Sequence, residues 1–162
     1  MFVSHLPAGY LSAKYLYRRF AATGAPLAWF VAAAMAGALA PDLDLLYFYL
    51  VDHRRTPHHL YWPHFPIVWF ALLAASGVWL ALARRKGAAA LAFIFCVGGV
   101  GHLLLDTIVG DIYWGAPFLW QPVSLFTVPA LYQPWWLNFF LHWSFGFELA
   151  ILVWAIVLAR KS

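Results

Sequence analysis

Charge is what this sequence has least of. Of its 162 residues only 10% are Asp, Glu, Lys or Arg, against about 25% in an ordinary soluble domain. With 65% hydrophobic and 20% aromatic residues, the chain cannot dress a soluble surface, and it reads as one domain living in a bilayer. Cysteine is scarcer still. Cys96 is alone in an apolar run, which excludes an internal disulfide and suits helix packing. Heptads, internal repeats and low-complexity tracts are missing too, so coiled coils and solenoids are excluded. The net charge of +4 is expected to orient helices rather than bind nucleic acid. Lys14, Arg18 and Arg19 ahead of an apolar run ending in ALA imitate a secretory signal, but Pro41 directly after that point disfavours cleavage, so the segment is expected to be retained.

What is present is long apolar stretches. Residues 66–83, 88–109 and 136–159 are each long enough, or nearly so, to cross the hydrocarbon as helices. Residues 27–40 make a shorter apolar helix stopped by Pro41, and residues 7–20 a Tyr-rich, partly apolar one. The expectation is an all-α, polytopic membrane bundle of about five helices. Arg18 and Arg19, the Arg84–Lys86 turn, and Arg160 with Lys161 belong on the cytoplasmic side; only Arg54 and Arg55 oppose the positive-inside bias, which suggests a task for them. Residues 110–135, rich in proline and aromatics, form a long outer connection suited to the interface, either as a cap or as a lid and lipid entry path.

Against this background the stretch PDLDLLYFYLVDHRRTPHH, residues 41–59, is dense in charge. Folding the chain about the turn near residue 23 brings His5 opposite Asp42, and folding it near residue 85 brings His64 opposite Asp106. His102 and His142 each lie roughly 26 Å of helix above a basic turn, at the helical rise of about 1.5 Å per residue. Several helices thus place His and Asp in one polar layer near the outer face.

His102 and Asp106 stand at i and i+4 on one helix face, as two ligands to a metal or as a ligand and its supporting partner. Asp42 and Asp44 follow a helix end, where a loop can aim both carboxylates at a cation. His53, His58 and His59 stand beside Arg54 and Arg55; mixed His and Asp ligands suit zinc, manganese or iron rather than calcium, and Arg recognises phosphate with two parallel hydrogen bonds.

At these residues the chain resembles the membrane-bound metal-dependent hydrolases of bacterial inner membranes. The likeness runs through His5, the P-D-x-D at Asp42 and Asp44, the H-R-x-x-T-H-S-like segment read here as HRRTPHH, and the G-H-x-x-x-D of Gly101, His102 and Asp106. His53, Arg54 and His58 match the middle segment, while His59 stands where the family often has serine. More distantly the pattern is similar to zinc-dependent phospholipase C and related single-strand nucleases; their H-x-x-x-E has no counterpart, because Glu148 lies six positions after His142.

The resemblance implies a multi-pass inner-membrane hydrolase with its site on the extracytoplasmic side and two or more divalent metal ions, zinc first. The metal set is then His5, Asp42, Asp44, His53, His58, His64, His102 and Asp106. Arg54, Arg55, His59 and His142 form the catalytic set, with the arginines on the charge developing at phosphorus and the histidines moving protons. The expected partners are the bilayer and a lipid-like phosphoester. Two other classes stay open: a b-type haem carrier using His64, His102 and His142 as axial ligands, and an ion or metal transporter. Gly98 and Gly101 permit close helix approach within one chain as readily as between two, so the oligomeric state also stays open.

Overall fold

The computed structural model describes Met1 and residues 3–161. It is all-helical, and among the described residues the one departure is an isolated antiparallel bridge between Ile112 and Val123. Among the described residues seven α-helices follow in order: α1 (His5–Phe20), α2 (Leu27–Leu39), α3 (Asp44–Leu50), α4 (Pro66–Leu82), α5 (Gly87–Asp106), α6 (Trp136–Phe140) and α7 (Trp143–Arg160).

Two departures from the expected five helices have local causes. Pro41 lacks an N–H and ends the α2 ladder, yet the chain re-enters helix as α3 after a bend of 55°. The expected single helix over 136–159 is divided, because His142 takes an extended backbone (φ −80°, ψ 146°) and caps α7, its ring accepting from the Ser144 N–H at 3.4 Å. The expected helix over 88–109 stops at Asp106, where the Thr107 hydroxyl turns back to the Leu103 carbonyl at 2.7 Å. Helices α5 and α7 are long and apolar enough to cross a membrane, and the bent pair α2–α3 makes a third if counted as one span; α4 is apolar but shorter.

In a bilayer, where lipid is as apolar as Leu, helices of this kind would be held together by close packing rather than by escape from water. Helix α5 is the hub, packed on α1, α2 and α4. Its approach to α2 depends on two glycines: a Cβ on Gly37 would fall 1.9 Å from the Phe95 carbonyl oxygen, and one on Gly98 2.3 Å from that of Ala34. Gly99 is filled in the same way by the Trp69 ring of α4, at 2.0 Å from its own missing Cβ.

Those pairings fix direction. Gly87 lies beside Thr23 and Ala25 while Gly98 lies beside Ala34 and Ala38, so α2 and α5 run parallel. Gly9 meets Ala34 and Ala38 while the Tyr17 hydroxyl donates to the Ala25 carbonyl, so α1 runs antiparallel to α2. Helix α7 runs alongside α1: Glu148 accepts from the Val3 and Ser4 N–H groups at 2.6 and 3.2 Å, and the Trp154 indole donates to the Tyr15 hydroxyl at 3.1 Å. One end of the bundle is filled by buried Ala13, Phe30, Ala34, Ala90 and Ile94. The N-terminal end of α1 and the C-terminal ends of α2 and α5 meet at the other end.

The 110–135 connection joins that second end. It is tied down by Leu125 and Phe126, whose N–H groups donate to the Thr107 and Ile108 carbonyls at 2.8 and 2.9 Å. Asn138 on α6 holds its tail, accepting from the Leu131 and Tyr132 N–H groups and donating to the Tyr132 and Trp135 carbonyls.

Candidate metal centre

Four side chains from three elements converge where α2 and α5 end. Asp42 comes from the turn after α2, His64 from the turn before α4, and His102 and Asp106 from one face of α5. The rings are oriented from behind. The His64 Nδ1–H donates to Asp44 Oδ2 at 2.6 Å, and the His102 Nδ1–H donates to the Ala38 carbonyl at 2.7 Å. A ring nitrogen that donates leaves the other as an acceptor in neutral imidazole, so both Nε2 lone pairs face inward.

What they face is more acceptors. Asp42 Oδ1 lies 3.7 Å from His64 Nε2 and 3.6 Å from His102 Nε2, and Asp106 Oδ2 lies 3.9 and 2.9 Å from the same two atoms. Neither Nε2 has a hydrogen-bond partner, although both are buried. Buried polar atoms are normally satisfied, and acceptors set against acceptors repel unless a positive charge lies among them. Zinc bonds of about 2.0–2.1 Å at tetrahedral angles would place ligand atoms roughly 3.3 Å apart. The four atoms lie within 4.8 Å of one another, with His–Asp separations of 2.9–3.9 Å on either side of that spacing, and their N and O donors suit a metal ion of the zinc type.

Around this group lie two overlapping ones, Asp42 with Asp44, His58 and His64, and His58 with His59 and His64. Asp44 Oδ1 is buried without a hydrogen-bond partner, 3.5 Å from His58 Nδ1. The His59 Nδ1–H donates to the Asp111 carbonyl at 3.1 Å, leaving Nε2 toward Asp106 Oδ2 at 3.7 Å. Burial above all, helped by His58 and His64 and opposed by Asp106, pulls the His59 pKa down to about 3, so its ring is neutral at ordinary pH. Gly110 makes room for it, since a Cβ there would fall 2.8 Å from His59 Cε1.

His5 stands beside the centre rather than within it. Its ring stacks on His102 at 3.8 Å, and its Nε2 lies 3.1 Å from both Asp106 Oδ1 and the Met1 carbonyl. The Met1 ammonium also pairs with Asp106 Oδ1, leaving Oδ2 to the converging group. His53 and Arg54 are exposed and line a cavity of about 720 Å³ that opens over Asp42, His58, His59 and Asp106. Both take left-handed backbone, at φ 51° and 62°, in a turn closed by the Thr56 N–H on Asp52 Oδ2 at 2.7 Å. Strain of this kind is more common at functional sites than elsewhere.

Arg55 is exposed and does not line that cavity. His142 is not brought to the cluster; its ring is engaged by Ser144 in capping α7. Sequence reasoning missed the Ala38 and Asp111 carbonyls, which carry no side-chain signal, and the part of Glu148. That buried carboxylate tethers the segment preceding His5 to α7, and a lone Glu in an apolar run was its available signal. Compared with known protein families, curated proteins and solved structures, the chain matches none.

Proposed function

We propose that this protein is a membrane-embedded metal-dependent hydrolase of the kind its motifs resemble, acting on a phosphoester of a lipid-like molecule. The observation that carries the reading is the convergence of the unpartnered His64 and His102 Nε2 atoms with carboxylate oxygens of Asp42 and Asp106. A divalent cation held there, zinc first and manganese or iron next, supplies Lewis acidity and lowers the pKa of water toward neutrality. The overlapping groups around Asp44, His58 and His59 offer a second position, which supports two or more ions.

The chain's own side chains do the remainder. Asp44 and the Ala38 carbonyl hold the two imidazoles in the inward-facing tautomer. Arg54, on the cavity wall, carries a planar fork suited to two phosphoryl oxygens. His58, on the same wall, is placed to move a proton to a leaving oxygen, and the neutral His59, its Nε2 an acceptor, to take one. Since the basic turns gather at the opposite end, the site faces the extracytoplasmic side of a bacterial inner membrane.

Two competing readings meet specific obstacles. The His64 and His102 rings lie 5.4 Å apart in edge contact, with Asp42 and Asp106 oxygens close to both, which leaves no slot for a porphyrin between them. A transport path would have to cross the end filled by Ala13, Phe30, Ala34 and Ile94, all fully buried. The test is elemental analysis and a visible spectrum of the detergent-purified protein beside its His102→Ala variant. Two or more equivalents of metal that fall in the variant, without a haem band, are expected. A metal-free protein, or unchanged occupancy in the variant, ends the proposal.

A further inference from the structure

A second cavity of about 720 Å³ lies on the far side of the wall that Asp44 and His58 make together. It is bounded by α3, α4 and α5 and by the turns before α4, with Ala40, Leu43, Tyr47, Val68, Leu72 and Phe95 among its walls. Its size falls within the roughly 300–1,000 Å³ of small-molecule sites. Its lining is apolar except for two tyrosine hydroxyls and Asp44, and the Asp44 Oδ1 atom is buried with no hydrogen-bond partner.

The two cavities differ in character and share a boundary. The one holding His53, Arg54, His58 and His59 carries charges of both signs, with Asp42 and Asp106 on the same wall, whereas this one is a hydrocarbon slot that touches the cluster only at Asp44. Leu72, Tyr47 and Trp62 at its rim are exposed, at 45%, 51% and 67%, so the slot opens sideways where α4 would meet lipid. A molecule that satisfies both sides must be long, apolar at one end and polar at the other. We propose that the slot between α3, α4 and α5 seats the hydrocarbon tail of an amphiphile whose polar head reaches the Asp44–His58 wall. This rests on the proposed function for the role of the head, and it adds the substrate's tail and its lateral route from the bilayer.

Photolabelling tests it without any need for turnover. The whole protein, reconstituted with a phospholipid carrying a photoactivatable diazirine in its acyl chain, is irradiated and the adducts are mapped by mass spectrometry. Adducts are expected to concentrate on Tyr47, Val68 and Leu72 relative to Val153 and Ile156, which α7 exposes to the same bilayer. Val68→Trp, which fills the slot, is expected to remove most of the slot adducts and leave those on α7 unchanged. Leu72→Trp, at a half-exposed rim position that tolerates bulk, gives the same reading should the first variant fold poorly. Labelling spread evenly over slot and α7, or slot labelling untouched by both fillings, overturns the proposal. Metal content is read on the same sample, so a metal-free protein with localised labelling sinks the hydrolase reading alone, and a metal-loaded one with diffuse labelling sinks the slot alone.

Discussion

Asp44 shows how one carboxylate can act through another residue. Its Oδ2 accepts a hydrogen bond from the His64 Nδ1–H at 2.6 Å and so decides which ring nitrogen faces the cluster. Removing such a partner typically weakens metal affinity by about 10–100-fold. Asp44→Ala is therefore expected to lose metal to a competing chelator at far lower concentration than the parent, with helix content unchanged; equal resistance would mean that His64 is oriented by other means. Arg54 poses the opposite case, where a side chain is kept at the expense of its backbone. At φ 62° a non-glycine residue costs about 1 kcal/mol or more, and the exposed side chain packs little in return. Arg54→Gly is thus expected to raise stability by about 1 kcal/mol while lowering kcat/KM on an anionic phosphoester and leaving bound metal in place. Thermal unfolding and steady-state kinetics on the same preparation check it, and parallel changes in both would remove the anion-binding role. The turn under Arg54 carries a pH dependence of its own. The Thr56 N–H beside Asp52 holds that carboxyl below its usual range, so the turn's support is present at neutral pH and is lost as pH falls through the lowered value.

The helices matter here for how closely they approach. The His102 hydrogen bond to the Ala38 carbonyl spans the α2–α5 contact, so the separation of those helices sets the geometry of the cluster. A Cβ on Gly98 would strike backbone atoms at 2.3 and 2.7 Å, whereas one on Gly101, a turn away, meets nothing within 4 Å. Gly98→Ala is expected to cost about 1–3 kcal/mol or more by overpacking and to lower metal occupancy with it. Gly101→Ala is expected to gain about 0.5–1 kcal/mol from helix propensity with occupancy intact. Thermal unfolding and metal analysis of both variants, side by side, separate the helix spacing from any general intolerance of α5. The α7 cap gives a further contrast: His142→Ala should destabilise the protein by about 1 kcal/mol and leave the metal content unchanged, since His142 is bound to Ser144 rather than to the cluster.

At the scale of the whole molecule, the all-helical class and several helix bounds were legible because hydrophobic length and a few stops carry them, whereas the expected count of five helices was not met. The runs at 27–40 and 66–83 and the start at residue 7 lie within two residues of α2, α4 and α1. The break at His142 was not legible, because an extended residue between two apolar stretches leaves no trace in hydropathy. Nor was α3, since Pro41 reads as a stop while the helix resumes just beyond it. The cluster was legible as a shared depth of His and Asp, but depth cannot say which of them touch. That is why His5 and His142, at the right level in sequence, stand beside and apart from the group that converges. The same alternation of directions makes a prediction about the molecule as a whole. With α1 antiparallel to α2, α2 parallel to α5 and α7 alongside α1, the basic residues Arg18, Arg19, Arg84, Arg85, Lys86 and Arg160 gather at the end opposite the cluster. Short basic turns remain on the cytoplasmic side during insertion. In a Cys96→Ser background, Arg85→Cys should therefore resist a membrane-impermeant thiol reagent in intact cells and react once they are permeabilised. Asp111→Cys, exposed at the cluster end, should react in intact cells. The reverse pattern would turn the site toward the cytoplasm and take away its access to the outer leaflet; labelling of both positions in intact cells would mean that the chain does not span the membrane with these helices.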